Sequence, residues 1–324
     1  MYNETVVFGI RGDNLFAGTL ILVFSFPSLI AYTLFVAAVI VSEELRKQSY
    51  FVLAAAMGIP ECVNLLNFVV LVTPSVFMGR SLGGMAGNQL AMFLSVAGFV
   101  ITLPITAALA VNRYYCVCRR ELFENAFSKQ KLAAIIVFSY VFGIIFGTSI
   151  FTCCPAYLYV ESYAFAYDVS TYGGAMAANA ELVITCIVSA IAVVLNIIVF
   201  AKYRRMHRDM SSLTNQEKIR QEREFRLFVQ FFVIVLWLVL SDALFIGSLF
   251  ITLNKWLFLF ISFSYIVQLS INAWVYIAFN KRIRKCIREM FFSKTGVQRL
   301  GTNTVQPSTT NQNDTRATAI NNTA

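Results

Sequence analysis

An all-α fold, a seven-transmembrane helix bundle followed by a short cytoplasmic amphipathic helix, is what this sequence predicts, on three observations. The composition is 58% hydrophobic and 13% charged over 324 residues, whereas a soluble domain carries about 25% charged residues. So much apolar surface needs the bilayer as its solvent. Next, the charges leave five uninterrupted runs, 14–42, 81–112, 132–160, 182–201 and 256–280. Two more, 48–79 and 227–254, are broken only by Glu61 and by Asp242. All seven reach the ~20 residues that a spanning helix needs. Finally, the loops near 43–49, 113–131, 202–226 and 281–324 hold 2, 5, 8 and 8 Lys/Arg, which is 23 of the 26. The alternate loops keep only Arg11, Arg80 and Lys255.

That asymmetry places the basic loops in the cytoplasm and the amino terminus outside, in a multi-pass protein of the plasma membrane. The net charge of +9 is then a topology signal, and no nucleic-acid partner is expected. The chain divides into an outer amino terminus at 1–14, the bundle at 15–280, a surface helix at 281–293 and a tail at 294–324. The first apolar run is too long for a cleaved signal peptide and lacks a basic lead, so it stays as the first helix.

In chain order, Asn3-Glu4-Thr5 is a glycosylation sequon on the outer side. The first helix runs roughly 17–41, with Pro27 expected to bend it. The second, roughly 50–72, sets Pro60 beside Glu61 near mid-membrane, where an ionisable group is expensive and faces the bundle interior. Glu61 reads either as a protonated acid bonded to a neighbouring helix, such as that carrying Asn272, or as part of a polar switch core. The stretch Thr73–Gly84 is expected to be a turn, on Gly79 and the pair Gly83-Gly84. The third helix, about 85–112, is long and free of charge, and its outer half carries Asn88, Gln89 and Ser95, as suits a helix in the middle of a bundle. It is expected to end at Asn112-Arg113-Tyr114.

The fourth helix covers roughly 132–153. The outer loop 155–178 is rich in tyrosine and reads either as a lid or as part of an aromatic belt. The fifth and sixth helices, about 180–202 and 225–251, are joined by a charged loop whose end at 217–224 reads as a solvated helical extension. Trp237 and Asp242 lie on the sixth helix. The seventh, about 257–279, carries Gln268, Asn272, Trp274 and Tyr276. Beyond it Ile283, Cys286, Ile287, Met290 and Phe291 recur at helical spacing opposite a basic face, the pattern of a helix lying on a leaflet. Cys286 is then placed either for acylation or as a buried thiol. The Asn/Thr/Gln-rich tail is expected to be disordered.

The seven cysteines make no disulfide framework and show no metal spacing, so no cofactor or metal is expected. The residues also weigh against several membrane classes. A Schiff-base lysine is missing from 256–280, the spans hold no protease constellation, and no repeats or interrupted helices suggest a transporter.

Seven helices, Asn112-Arg113-Tyr114 at the end of the third, Asn272-Ala273-Trp274-Val275-Tyr276 at the end of the seventh and a basic amphipathic helix after it together resemble a rhodopsin-like G-protein-coupled receptor over about 15–292. Met78-Gly79-Arg80 with its following glycines, Asn-Arg-Tyr and Ala278-Phe-Asn-Lys-Arg-Ile-Arg284 look most like the nematode serpentine chemoreceptors, class x or a related group. The resemblance implies a chemosensory receptor with a small-molecule ligand, a heterotrimeric G protein and the lipid bilayer as partners, and no enzyme activity. It assigns Asn112, Arg113 and Tyr114 to G-protein coupling and Glu61, Trp237, Asn272 and Tyr276 to the activation switch.

The chain departs from the family pattern in several places. Asn112 replaces the usual acid beside Arg113, Ala273 replaces the seventh-helix proline, and the outer end of the third helix has no cysteine. Arg113 therefore needs another restraint, for which Glu222 and Glu224 are candidates; an arginine at a helix end also simply snorkels to headgroups. For the ligand, Ser95, Phe99, Asp242 and Gln268 are the candidate pocket residues. The third helix lacks the outer aspartate that amine receptors of the family carry, which disfavours a biogenic amine; the resemblance itself implies a small, volatile or weakly polar chemical. The alternatives are a seven-helix ligand-gated channel, whose amino terminus would lie inside, or a peptide-responsive receptor.

Overall fold

The computed structural model describes residues 6–7, 10–208, 215–248 and 254–292 of the chain. The sequon at Asn3 and the tail from 294 lie outside them. The elements begin with a small hairpin of β1 (Val6–Val7) and β2 (Ile10–Arg11), then α1 (Gly12–Val41), α2 (Glu43–Arg46) and α3 (Ser49–Asn67). A π turn at Phe68–Val72 carries α3 into α4 (Thr73–Met78). There follow α5 (Gly84–Cys118), α6 (Arg120–Ala126), α7 (Lys129–Thr148), the strands β3 (Ala156–Tyr159) and β4 (Ala164–Tyr167), and α8 (Tyr172–Arg208). The last helices are α9 (Asn215–Ser248), α10 (Lys255–Phe279) and α11 (Lys281–Phe292). Among the described residues seven helices are long and apolar enough to cross a membrane: α1, α3 with α4, α5, α7, α8, α9 and α10. The chain falls into two compact units, Met1–Ile287, which holds the bundle, and Arg288–Ala324, which begins within α11.

The third span, α5, is central and packs on α3, α7 and α8. Without a hydrophobic drive between helices in lipid, close approach depends on small residues. Gly98 of α5 shows it: a Cβ there would lie 2.4 Å from the Asn64 side chain on α3. On the adjoining face of α5 a Cβ on Gly143 of α7 would lie 2.4 Å from Ile101 Cγ1 and 2.8 Å from the Ala97 carbonyl oxygen. Backbone cannot retreat as a side chain can, so at this point α7 approaches α5 through a glycine.

Several expected boundaries move. The third span does not end at Asn112-Arg113-Tyr114 but runs on to Cys118, with Arg113 buried against Tyr50 of α3 rather than ending the helix in solvent. The turn expected over Thr73–Gly84 shrinks to the residues after Met78. Pro74 sits in the first turn of α4, where its missing N–H is tolerated, and positive φ angles at Gly79, Gly83 and Gly84 make the reversal. The bundle is joined by two hairpins that the helical pattern did not anticipate. In the larger, β3 and β4 pair antiparallel from Ala156↔Tyr167 to Tyr159↔Ala164. Tyr163, at φ 59°, closes its turn.

At the end of the seventh span Asn280 caps α11, its Oδ1 accepting from the Arg282 and Ile283 N–H groups at 2.9 and 3.3 Å. Arg284 Nη1 donates to the Ile277 carbonyl at 2.9 Å, satisfying an orphan acceptor of the α10 terminus. Ile283 is fully buried, and Cys286 Sγ lies half-buried 3.6 Å from the Ala38 carbonyl.

Candidate functional site

Three polar clusters run down the bundle interior. At the end that carries most of the lysines and arginines, Arg113 is only 4% exposed. Its guanidinium lies over the Tyr50 ring, 3.7 Å from the centroid. That contact draws on the negative face of the ring and strengthens as water is removed. The Tyr50 hydroxyl in turn donates to that of Tyr276 at 3.4 Å, and Tyr276 is fully buried with its ring stacked on Phe35 at 4.7 Å. Next to the arginine, Asn112 Nδ2 donates to Ser49 Oγ at 2.8 Å. Neighbouring residues of α5 thus grip the first turn of α3. Tyr114 faces elsewhere, packing beside the cluster of Val199, Tyr203 and Phe228 from α8 and α9.

Midway along, Glu61 is 4% exposed and accepts hydrogen bonds from the Tyr32 hydroxyl and, at 2.9 Å, from Asn272 Nδ2. One carboxyl group therefore ties α1, α3 and α10 together, and it reaches the helix that the sequence suggested. A turn further along α3, Asn64 Nδ2 donates to the Tyr265 hydroxyl at 3.2 Å. Asn67 Nδ2 donates to the Ala91 carbonyl at 2.8 Å and to Ser95 Oγ at 3.0 Å. Trp237 Nε1 donates to the Ser264 carbonyl at 3.3 Å, linking α9 to α10.

At the other end the β3–β4 hairpin plugs the bundle. Ser262 of α10 donates to the Tyr163 carbonyl at 2.8 Å, and the Tyr163 hydroxyl donates to Asn14 of α1 at 2.9 Å. Asn88 of α5 brackets Leu158, donating to its carbonyl at 2.9 Å and accepting from its N–H at 2.7 Å. Beneath these ties Phe165 meets Phe68 edge-on at 5.7 Å and Phe99 meets Tyr265 at 6.0 Å. The Tyr167 hydroxyl donates to Glu181 Oε2 of α8 at 2.5 Å. Burial first, and then the facing carboxylate of Glu181, hold the Tyr167 phenol well above its usual range; Cys154 and Tyr265 add smaller contributions.

The expected ligand residues divide. Phe99 lies in this region. Ser95 lies one helical turn nearer the hairpin than Phe99 with its hydroxyl taken by Asn67, and Gln268 is half-buried on α10 without a hydrogen bond among the described residues. Asp242 does not join them: it accepts from Ser189 Oγ at 2.5 Å between α9 and α8. The side chains of Glu222 and Glu224, like Asn3, lie outside the described residues. Sequence reasoning missed Tyr50, Tyr167, Glu181 and Tyr265. Glu181 stands one residue before an apolar run, so it read as the edge of a loop; the tyrosines carry no spacing signal.

A family model described as serpentine type 7TM GPCR chemoreceptor Srx matches residues 22–280, well over half of the chain. The chain belongs to the Srx family of serpentine chemoreceptors. Among solved structures the Srx chain is similar to squid rhodopsin, with a TM-score of 0.71, 15% identity, and 85% of this chain and 79% of that one covered. That likeness establishes the rhodopsin-like seven-helix fold. No match to a curated protein is found. Fold and family together make the chain a multi-pass membrane protein of the G-protein-coupled receptor class.

Proposed function

We propose that this receptor is chemosensory, lies with its amino terminus outside and its basic loops in the cytoplasm, and passes the binding of a small molecule beneath the hairpin to a heterotrimeric G protein through Arg113. The observation that carries the reading is the buried guanidinium of Arg113 on Tyr50. A charge inside a span is costly and is kept for use. Here it sits on the third span at the basic end, and no acid adjoins it in sequence. Tyr50 supplies a restraint that an acid otherwise gives. A desolvated cation–π contact contributes about 2 kcal/mol, against about 0–1 kcal/mol for an exposed ion pair.

Under this reading, ligand entry shifts the hairpin end, Tyr265 and Asn64 pass the shift toward Glu61 and Asn272, and Tyr276 moves with α10. Arg113 then leaves Tyr50 for the G protein. Cys286, half-buried with its Sγ toward the Ala38 carbonyl, helps seat α11 against α1, and Asn3 would carry sugar on the outer surface. The test is Arg113→Ala at matched surface expression with a G-protein reporter and a screened agonist. Loss of agonist-driven output with surface density unchanged supports the reading, and wild-type output overturns it.

A further inference from the structure

Cys153 and Cys154 are adjacent in sequence, and their Sγ atoms lie 3.0 Å apart in hydrogen-bond contact. They follow the fourth span, which ends at Phe151, so both thiols stand beyond it. Cys153 is exposed and Cys154 half-buried. The backbone folds the pair back on the helix end: both N–H groups donate to the one Ser149 carbonyl, at 3.0 and 2.9 Å. On the other side the Cys153 carbonyl abuts the first turn of α8, where a Cβ on Gly173 would clash with its oxygen. Pro155, the next residue, accepts from the Asp168 N–H at 2.8 Å and closes the root of the β3–β4 hairpin. The dithiol thus sits where α7, the hairpin and α8 join.

The two thiols differ in the way that exchange chemistry uses. The bond from Cys154, and then the Thr152 hydroxyl, hold the Cys153 thiol below its usual range, whereas burial pushes Cys154 up. The exposed member is the readier thiolate, and the thiolate is the nucleophile. No group of three or more possible metal ligands occurs among the described residues, and two thiols fall short of the roughly four ligands of a structural zinc site. We propose that Cys153 and Cys154 form a redox-active pair, which a small external disulfide oxidises to a bridge between them.

The Cys153 thiolate attacks one sulfur of that disulfide; its S–S bond breaks, a mixed disulfide forms and one thiol leaves. Cys154 then gives up its proton and attacks Cys153 Sγ, and the second thiol leaves. Two protons and two electrons pass from the pair, so one disulfide becomes two thiols. Neighbouring Cα atoms lie about 3.8 Å apart, short of the roughly 4.4–6.8 Å that disulfides span. Such a bridge is strained, and strained or exposed disulfides are the readily reduced ones. The pair therefore works reversibly, and closing it turns a peptide that the Ser149 carbonyl and Gly173 both hold. For its setting the pair depends on the proposed topology, since disulfides persist outside the cell.

The experiment titrates the reduced, detergent-solubilised full chain with glutathione disulfide, blocks the remaining thiols with N-ethylmaleimide and maps the products by mass spectrometry. The peptide holding residues 153–154 should lose both maleimide adducts together and weigh two hydrogens less than its reduced form. Dithiothreitol should restore both adducts. Cys154→Ser should stop at a stable glutathione adduct on Cys153. Cys153→Ser should react about 3- to 10-fold more slowly at Cys154, for loss of the readier thiolate. If a variant does not purify, the wild-type time course decides, with a glutathione adduct appearing first and decaying to the bridge.

Stable glutathione adducts on both residues, a bridge to another cysteine, or closure as fast in the urea-unfolded chain would each overturn the inference. On intact cells a membrane-impermeant maleimide should label the reduced pair from outside. No label there, with the bridge still forming in detergent, contradicts the topology and leaves the pair standing.

Discussion

The two ends of the bundle each set a charge against tyrosine, and they do so in opposite states of closure. At the basic end Arg113, Tyr50 and Tyr276 are all buried, and Asn112 bonds Ser49. At the hairpin end Glu181, Tyr167, Tyr265 and Phe99 are half-buried, and among the described residues the carboxylate has one donor, Tyr167. A closed cluster holds a state; an open one can accept a ligand. On the proposed reading the open end takes the input and the closed end gives the output, with Glu61 between them tying three helices.

The comparison is broken most severely by separating the helices on which both ends depend. Gly143→Val puts a side chain against the α5 backbone. Overpacking costs about 1–3 kcal/mol where a core can give, and backbone gives less, so the expected outcome is loss of nearly all folded receptor from the surface by antibody staining. Glu61→Leu comes next. It strands the Tyr32 hydroxyl and the Asn272 amide, each a buried donor worth about 1–3 kcal/mol when unpaired. Tm should fall by several degrees, and agonist output should drop at matched surface expression. Tyr50→Phe keeps the ring under Arg113 and removes the bond to Tyr276, so basal output should rise no more than about three-fold, equivalent to roughly 0.6 kcal/mol. The smallest effect belongs to Asp13→Asn, which breaks the pair with Lys255. Both side chains are 41% exposed, so the change should stay within about 1 kcal/mol by thermal unfolding.

The seven spans were legible because lipid demands about 20 apolar residues per crossing, and that signal survives any change of side chain. Their ends were less so. Backbone hydrogen bonds carry a helix past the first charges, so α5 reaches Cys118, and α8 starts at Tyr172 rather than near 180. The β3–β4 hairpin hid in a tyrosine-rich stretch whose four-residue strands are too short to stand out from a loop. At the site, the pairing of Glu61 with Asn272 was legible because a mid-membrane acid must find a donor and few polar residues lie at its depth. The contact of Arg113 with Tyr50 joins residues 63 positions apart through a ring face. Any buried aromatic could have supplied it, so only the fold selects which one.

The central claim, that Tyr50 holds Arg113 at rest and that Arg113 serves the G protein once released, is tested most directly by ligand-free guanine-nucleotide exchange. Wild type, Tyr50→Leu, Arg113→Ala and the double variant are compared at equal receptor density with a panel of heterotrimeric G proteins. Tyr50→Leu should raise basal exchange by about 2- to 30-fold, the range of a cation–π contact worth 0.5–2 kcal/mol, and adding Arg113→Ala should abolish the rise. Basal exchange unchanged by Tyr50→Leu, or a rise that persists without Arg113, would contradict the account.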